Sequence, residues 1–253
     1  MGKITNLISA LKLRIKRYDD THNFTCDVCG KEVFGNERVC LPCNKILPWN
    51  LGNICPFCGR KVLEEGTCLE CKEKPLAVRY ARSCFTYEGD AMRLVLRFKK
   101  GEKYLFRTFA DILLPLFEKA FPEECAVTFV PMTKRAEKRR GFNQSRLLAE
   151  EIAARCGREF LNVAEKCRET EQQKSLGRRE REKNLEGVFR VIDRKSVKNK
   201  CIVIVDDTLT TGATASELAR ALLRAGAKDT YLLTITSVER KNPYGKPPAK
   251  KKK

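Results

Sequence analysis

Cys201-Ile202-Val203-Ile204-Val205-Asp206-Asp207-Thr208-Leu209-Thr210-Thr211-Gly212-Ala213-Thr214 decides the fold class of this chain. Its first five residues form the strongest strand pattern in the sequence. The strand runs out on two acids. A loop of small, hydroxyl-bearing residues follows, and then a helical pattern from Ala215 to Ala225 with Leu218, Leu222 and Leu223 inward and Gly226 at its end. A strand that feeds a helix through a small-residue loop is one unit of a parallel α/β sheet. Ligands of such sheets bind at the carboxyl ends of the strands.

Working outward, the same alternation recurs. Val78 to Tyr87 reads as a strand with a turn at Glu88-Gly89-Asp90. Met92, Val95 and Leu96 then mark a short helix ended by Gly101. A second helix pattern runs through Leu105, Phe109, Ile112 and Leu116, with Pro115 placed to kink or divide it. Ala126 to Val130 is a short buried strand closed by Pro131. A basic loop follows, with Lys134, Arg135, Lys138, Arg139 and Arg140, and then a helix from Asn143 to Cys156. Thr230 to Thr236 supplies a further strand.

The loop at 210–214 has the chemistry of a phosphate cradle, because backbone N–H groups and hydroxyls converge at a helix N-terminus. Asp206 and Asp207 would repel a phosphate unless they serve hydroxyls or metal. A ribose 5-phosphate resolves the conflict, with its phosphate in the loop and its hydroxyls on the acids. The Walker A pattern is absent, which argues against an ATPase. His22 is the single histidine and stands outside the α/β region, so histidine acid–base catalysis is not expected.

Strand–Asp206-Asp207-x-x-Thr210-Thr211-Gly212-x-Thr214–helix resembles the motif by which type I phosphoribosyltransferases bind phosphoribosyl pyrophosphate (PRPP). Phe129-Val130-Pro131-Met132, Lys134-Arg135 and Arg140-Gly141-Phe142-Asn143-Gln144-Ser145 resemble the ComF-type competence proteins. So do Arg168-x-Thr170-x-x-Gln173-x-x-Leu176 and Arg181-x-x-Asn184-x-x-Gly187-x-Phe189. The resemblance covers about residues 26–238. It implies the type I phosphoribosyltransferase fold, a parallel sheet flanked by helices with a hood, behind a small zinc-ribbon module. It implies that Asp206 and Asp207 hold the ribose hydroxyls and act as the catalytic pair. Thr208, Thr210, Thr211, Gly212, Ala213 and Thr214 would complete the PRPP site, together with Met132, Thr133, Lys134 and Arg135. Mg²⁺ would sit on the pyrophosphate and ribose oxygens. In the hypoxanthine–guanine enzymes a carboxylate stands where this chain has Thr210, which argues against that subclass. The resemblance also implies a role in natural transformation, with single-stranded DNA and a DNA-uptake helicase as partners.

Thirteen cysteines are present. Eight form Cys-x-x-Cys pairs: Cys26/Cys29, Cys40/Cys43, Cys55/Cys58 and Cys68/Cys71. Two pairs suffice for one tetrahedral zinc site of four thiolates, so eight ligands give two structural sites. Sequential pairing makes an internal repeat of a zinc ribbon, and interleaved pairing is the alternative. Iron–sulfur is the weaker rival for the same thiols. Few large apolar residues lie in 26–71, so metal would have to hold this segment together. The other five cysteines are scattered, as buried thiols are.

The net charge is +19, which points to nucleic acid, nucleotide phosphates or an anionic surface as partners. Residues 1–25 have the spacing of a basic amphipathic helix that docks on its own protein or lies on a membrane. Lysines and arginines interrupt its apolar run, so it is not read as a signal peptide. Residues 241–253 read as a basic disordered tail, and 166–184 as either a mobile hood or a plain surface helix. No apolar run reaches transmembrane length, and a soluble, cytoplasmic protein without membrane insertion is expected. The domain reading is 1–25, a double zinc ribbon at 26–76, a phosphoribosyltransferase domain at 77–240, and the tail. Two functions compete: phosphoribosyl transfer to an unknown acceptor, and non-catalytic binding of single-stranded DNA on the same scaffold.

Overall fold

The computed structural model describes residues 25–35, 37–168 and 187–239. The N-terminal amphipathic segment, most of the hood segment and the basic tail lie outside the described residues. The chain divides into two compact units, residues 1–47 and 48–253. The division falls between the two cysteine clusters, so the ribbon expected over 26–76 is shared between the units, and its second half belongs to the larger one.

The smaller unit contains Cys26 to Cys43 and the short helix α1 (Leu41–Ile46). Its packed residues are Cys26, Val33 and Cys43, with Val28, Val39 and Cys40 against them.

The larger unit begins with the second cysteine cluster and α2 (Leu69–Glu73). Then come β1 (Ala81–Thr86), α3 (Gly89–Lys100), α4 (Leu105–Ala120), β2 (Ala126–Phe129), α5 (Lys134–Arg140) and α6 (Gln144–Arg155). Next are β3 (Ala164–Lys166), β4 (Phe189–Val191), β5 (Cys201–Leu209), α7 (Ala213–Arg224) and β6 (Asp229–Ser237). Four strands form one sheet in the order β1-β6-β5-β2, and every neighbouring pair is parallel. Strands β3 and β4 make a separate antiparallel pair.

The central position of β5 follows from its composition. Cys201 through Val205 are all buried, and each fully buried aliphatic side chain contributes about 1.5–3 kcal/mol. Val205 lies beside Phe129 of β2 and Leu233 of β6. The strand continues past the apolar run to Leu209, paired with Ser237, so Asp206 and Asp207 stand within the ladder rather than at its end.

Several boundaries differ from the sequence reading. The turn expected at Glu88-Gly89-Asp90 instead opens α3. The basic stretch after β2, expected as a loop, is the helix α5, because Thr133 Oγ1 accepts the Ala136 N–H at 3.2 Å and caps it. Helix α4 runs through Pro115 without dividing. Leu96 and Leu223 face outward at 39% exposure each. Each follows a buried residue, Val95 or Leu222, and one helical step carries it off the apolar face. Among the described residues no helix is long and apolar enough to cross a membrane.

Candidate ligand site and cysteine clusters

Strand β2 ends beside Val205, in the middle of β5, and Val130 N–H donates to the Val205 carbonyl at 3.1 Å. The segments that follow Val130 and Val205 therefore start from neighbouring positions toward the carboxyl end of the sheet. The segment after β2 leans back over β5. Asn143 donates to the Val130 carbonyl at 3.1 Å, and the Ser145 hydroxyl donates to Asp206 Oδ1 at 2.9 Å. The Asp207 N–H donates to the same oxygen at 2.9 Å. Asp207 itself is paired with Lys99 at the end of α3, 2.8 Å away.

The two carboxylates are held differently. Burial pushes Asp206 up, the charge of Asp207 pushes it further, and the Asp207 N–H, Ser145 and Lys99 pull it back, leaving it at about 7. It is thus poised to gain or lose a proton near neutrality.

A small cleft opens beside Asp206, lined among others by Asp206, Thr208, Thr210, Gly212, Ala213 and Thr214. Gly212 caps α7 at φ +74°, a left-handed conformation that suits glycine. A Cβ there would stand 2.3 Å from the Leu76 side chain. Thr211 Oγ1 accepts the Ala213 N–H at 3.2 Å, and Thr208 accepts from the Thr236 hydroxyl at 3.1 Å. Asp206, Thr208, Thr210 and Gly212–Thr214 are therefore brought to one cleft. Thr133 is buried in its capping role, Met132 is half-buried, and Lys134 and Arg135 are exposed on α5.

Three neighbours of the site have no role legible in the sequence. Ser145 belongs to a family-like motif that assigns it no task. Lys99 reads as an ordinary basic residue in a helix's last turn, which the macrodipole alone would favour. Arg60 lies inside the ribbon. No local pattern links any of them to Asp206, Asp207 or the loop.

The cysteines gather as Cys26, Cys29, Cys40, Cys43 and as Cys55, Cys58, Cys68, Cys71, each set with its sulfurs within 4.8 Å of one another. Pairing is sequential. The two halves repeat in detail: Cys26 N–H bonds the Lys31 carbonyl at 2.7 Å, and Cys55 N–H bonds the Arg60 carbonyl at 2.8 Å. Cys40 N–H donates to Cys26 Sγ at 3.3 Å, and Cys68 N–H to Cys55 Sγ at 3.5 Å. Burial pushes the Cys26 and Cys55 thiols up, but backbone N–H donors outweigh it and bring both down to about 7. Four converging sulfurs with N–H donors aimed at one of them fit a structural zinc ion. Among the described residues these two sets are the groups of three or more potential ligands that converge.

The chain is 31% identical over 215 residues to the DNA utilization protein YhgH of Salmonella typhi, spanning 82% of this chain and 87% of that protein. The competence protein ComFC of Bacillus subtilis is 29% identical, over 80% of this chain and 86% of its own length. Competence protein F of Haemophilus influenzae is 23% identical, over 75% and 93%. No protein-family model matches. Among solved structures, a glutamine PRPP amidotransferase from B. subtilis complexed with ADP and GMP matches with a TM-score of 0.34 and 21% identity. That match covers 51% of this chain and 25% of that one, a likeness too slight to bear on function.

Proposed function

The chain belongs to the ComF family of competence and DNA-utilization proteins, and on that premise we propose that it binds PRPP with Mg²⁺ on a type I phosphoribosyltransferase fold and serves DNA uptake or utilization. One observation carries the PRPP reading: two carboxylates lie in the last part of one parallel strand, just before a small-residue loop that opens a helix. Such carboxylates repel a bare phosphate. They favour a ligand that brings hydroxyls and phosphate on one frame.

In this reading Asp206 and Asp207 accept the two ribose hydroxyls. Backbone N–H groups and hydroxyls of Thr210, Thr211, Gly212, Ala213 and Thr214 hold the 5-phosphate. Thr208 lines the ribose side. Met132, Thr133, Lys134 and Arg135 face the pyrophosphate. Ser145 orients Asp206, and Lys99 holds Asp207 in an ion pair. The chemistry that Mg²⁺ would supply, carried on the pyrophosphate, is neutralisation of charge on the leaving group. Neither aspartate needs a resident metal, since each already has a protein partner. Transfer breaks the bond between C1 and the pyrophosphate oxygen, pyrophosphate leaves with the electron pair, and the acceptor forms the new bond to C1; positive charge that builds on the ribose ring is offset by nearby carboxylate charge.

The names of the relatives support a role in DNA handling. A second reading, non-catalytic binding of single-stranded DNA, is favoured by α5. Five of its seven residues are basic and none is buried. Both readings are compatible with one protein. Calorimetric titration with PRPP and Mg²⁺, followed by assay of pyrophosphate release, tests the first. Saturable binding supports it, and no heat of binding at millimolar PRPP removes it.

A further inference from the structure

The second cysteine cluster does more than hold itself together. Its turn between Cys55 and Gly59 packs directly on the sheet: Ala81 N–H donates to the Phe57 carbonyl at 2.6 Å, and Asn50 joins the Gly59 and Ser83 carbonyls at 2.6 and 3.2 Å. A Cβ on Gly59 would stand 2.4 Å from the Ala81 carbonyl oxygen, so the approach leaves no room for a side chain. From this platform the Arg60 side chain, 5% exposed, reaches two partners. One is Glu70 at 2.8 Å. The other is the backbone carbonyl of Thr210. Behind the same loop, Leu76 fills the space beside Gly212, and Ala77 N–H donates to Ser216 Oγ at 3.2 Å.

We infer that Arg60 is a positioning residue for the phosphate loop, through which the second cysteine cluster fixes the geometry of the ligand site. The inference rests on the PRPP reading above. The reasoning is geometric. A trans peptide points its carbonyl and the following N–H in opposite directions. Holding the Thr210 carbonyl toward Arg60 therefore turns the Thr211 N–H the other way and keeps it available to a phosphate. The planar guanidinium can serve a carboxylate and a carbonyl at once, which an ammonium on a flexible stem does less well. The matching position of the first repeat is Lys31, which is exposed. The two halves thus share a metal-binding frame and differ in the residue that meets the loop.

The test compares Arg60→Met, Arg60→Lys and, as control, Lys31→Met by calorimetry with three probes in Mg²⁺: PRPP, ribose 5-phosphate and pyrophosphate. Zinc content and melting temperature are measured alongside. Arg60→Met is expected to weaken PRPP and ribose 5-phosphate about tenfold and to leave pyrophosphate unchanged. Arg60→Lys, which keeps the charge and so serves if the methionine variant loses its fold, should weaken the same two ligands to a smaller degree. Lys31→Met should change nothing. Unchanged ribose 5-phosphate affinity in a folded Arg60 variant, or equal weakening of pyrophosphate, overturns the inference. Absence of PRPP binding by the unaltered protein would instead overturn the reading on which it rests.

Discussion

Lys99 Nζ lies 2.8 Å from Asp207 Oδ1, and the two side chains are 29% and 14% exposed. This ion pair joins the end of α3 to the central strand and places a positive charge beside two adjacent acids. Removing it should be felt at both. Lys99→Met is expected to weaken PRPP by about tenfold, since a charge-assisted bond contributes roughly 1.5–3 kcal/mol. It should also raise the pH at which Asp206 titrates, because Lys99 is among the groups that hold that value down. Calorimetry across pH checks both effects.

Asp206 gives a stability test with a definite sign. Its folded value of about 7 lies above the ordinary 3.8, so the folded protein binds the proton more tightly than the unfolded chain. The stabilisation is fully present below about pH 4 and is lost as pH rises toward about 7. Asp206→Asn removes the penalty of the buried charge while keeping an oxygen for Ser145. The ligand-free variant should be more stable than the parent at pH 8 and indistinguishable from it near pH 4. The same variant should lose PRPP affinity. Urea denaturation at the two pH values decides the first point.

Much of this arrangement is legible in the sequence, for physical reasons. The run Cys201–Val205 is too apolar to sit anywhere but the centre of a sheet. The acids and small residues after it have few other uses at such a position. Repeated Cys-x-x-Cys spacing tells which sulfurs converge once sequential pairing is adopted. What stays hidden depends on approaches between distant segments. Lys99 and Asp207 are far apart in the chain, as are Arg60 and Thr210. The helical state of Lys134–Arg140 is marked by its caps at Thr133 and Gly141, signals easily outweighed by the density of charge. The small β3–β4 pair escapes because three-residue strands leave no periodicity to read.

The cysteine clusters should be separable. The protein is expected to carry two zinc equivalents, one per cluster. Cys26→Ser should lose one equivalent and leave PRPP binding intact, because that cluster belongs to residues 1–47. Cys55→Ser should also lose one equivalent, but with a fall in PRPP affinity and in melting temperature of the larger unit. Elemental analysis combined with calorimetry on both variants distinguishes these outcomes. Equal effects of the two substitutions on PRPP binding would contradict the division.

Helix α5 offers a charge test. If single-stranded DNA meets Lys134, Arg135, Lys138, Arg139 and Arg140, replacing Lys138 and Arg139 with glutamine should lower the slope of log affinity against log salt. Each DNA phosphate that is no longer neutralised should change it by about 0.7. Fluorescence anisotropy with a labelled oligonucleotide at several salt concentrations reads this directly. An unchanged slope would remove α5 from the DNA surface.

The central claim is that residues 206–214 form the PRPP site, and amide hydrogen exchange of the full-length protein with and without PRPP and Mg²⁺ tests it most directly. Slowed exchange centred on Asp206–Thr214, absent in Asp206→Ala, is expected. Binding without slowed exchange in that segment, or slowed exchange confined to another part of the chain, would contradict the assignment.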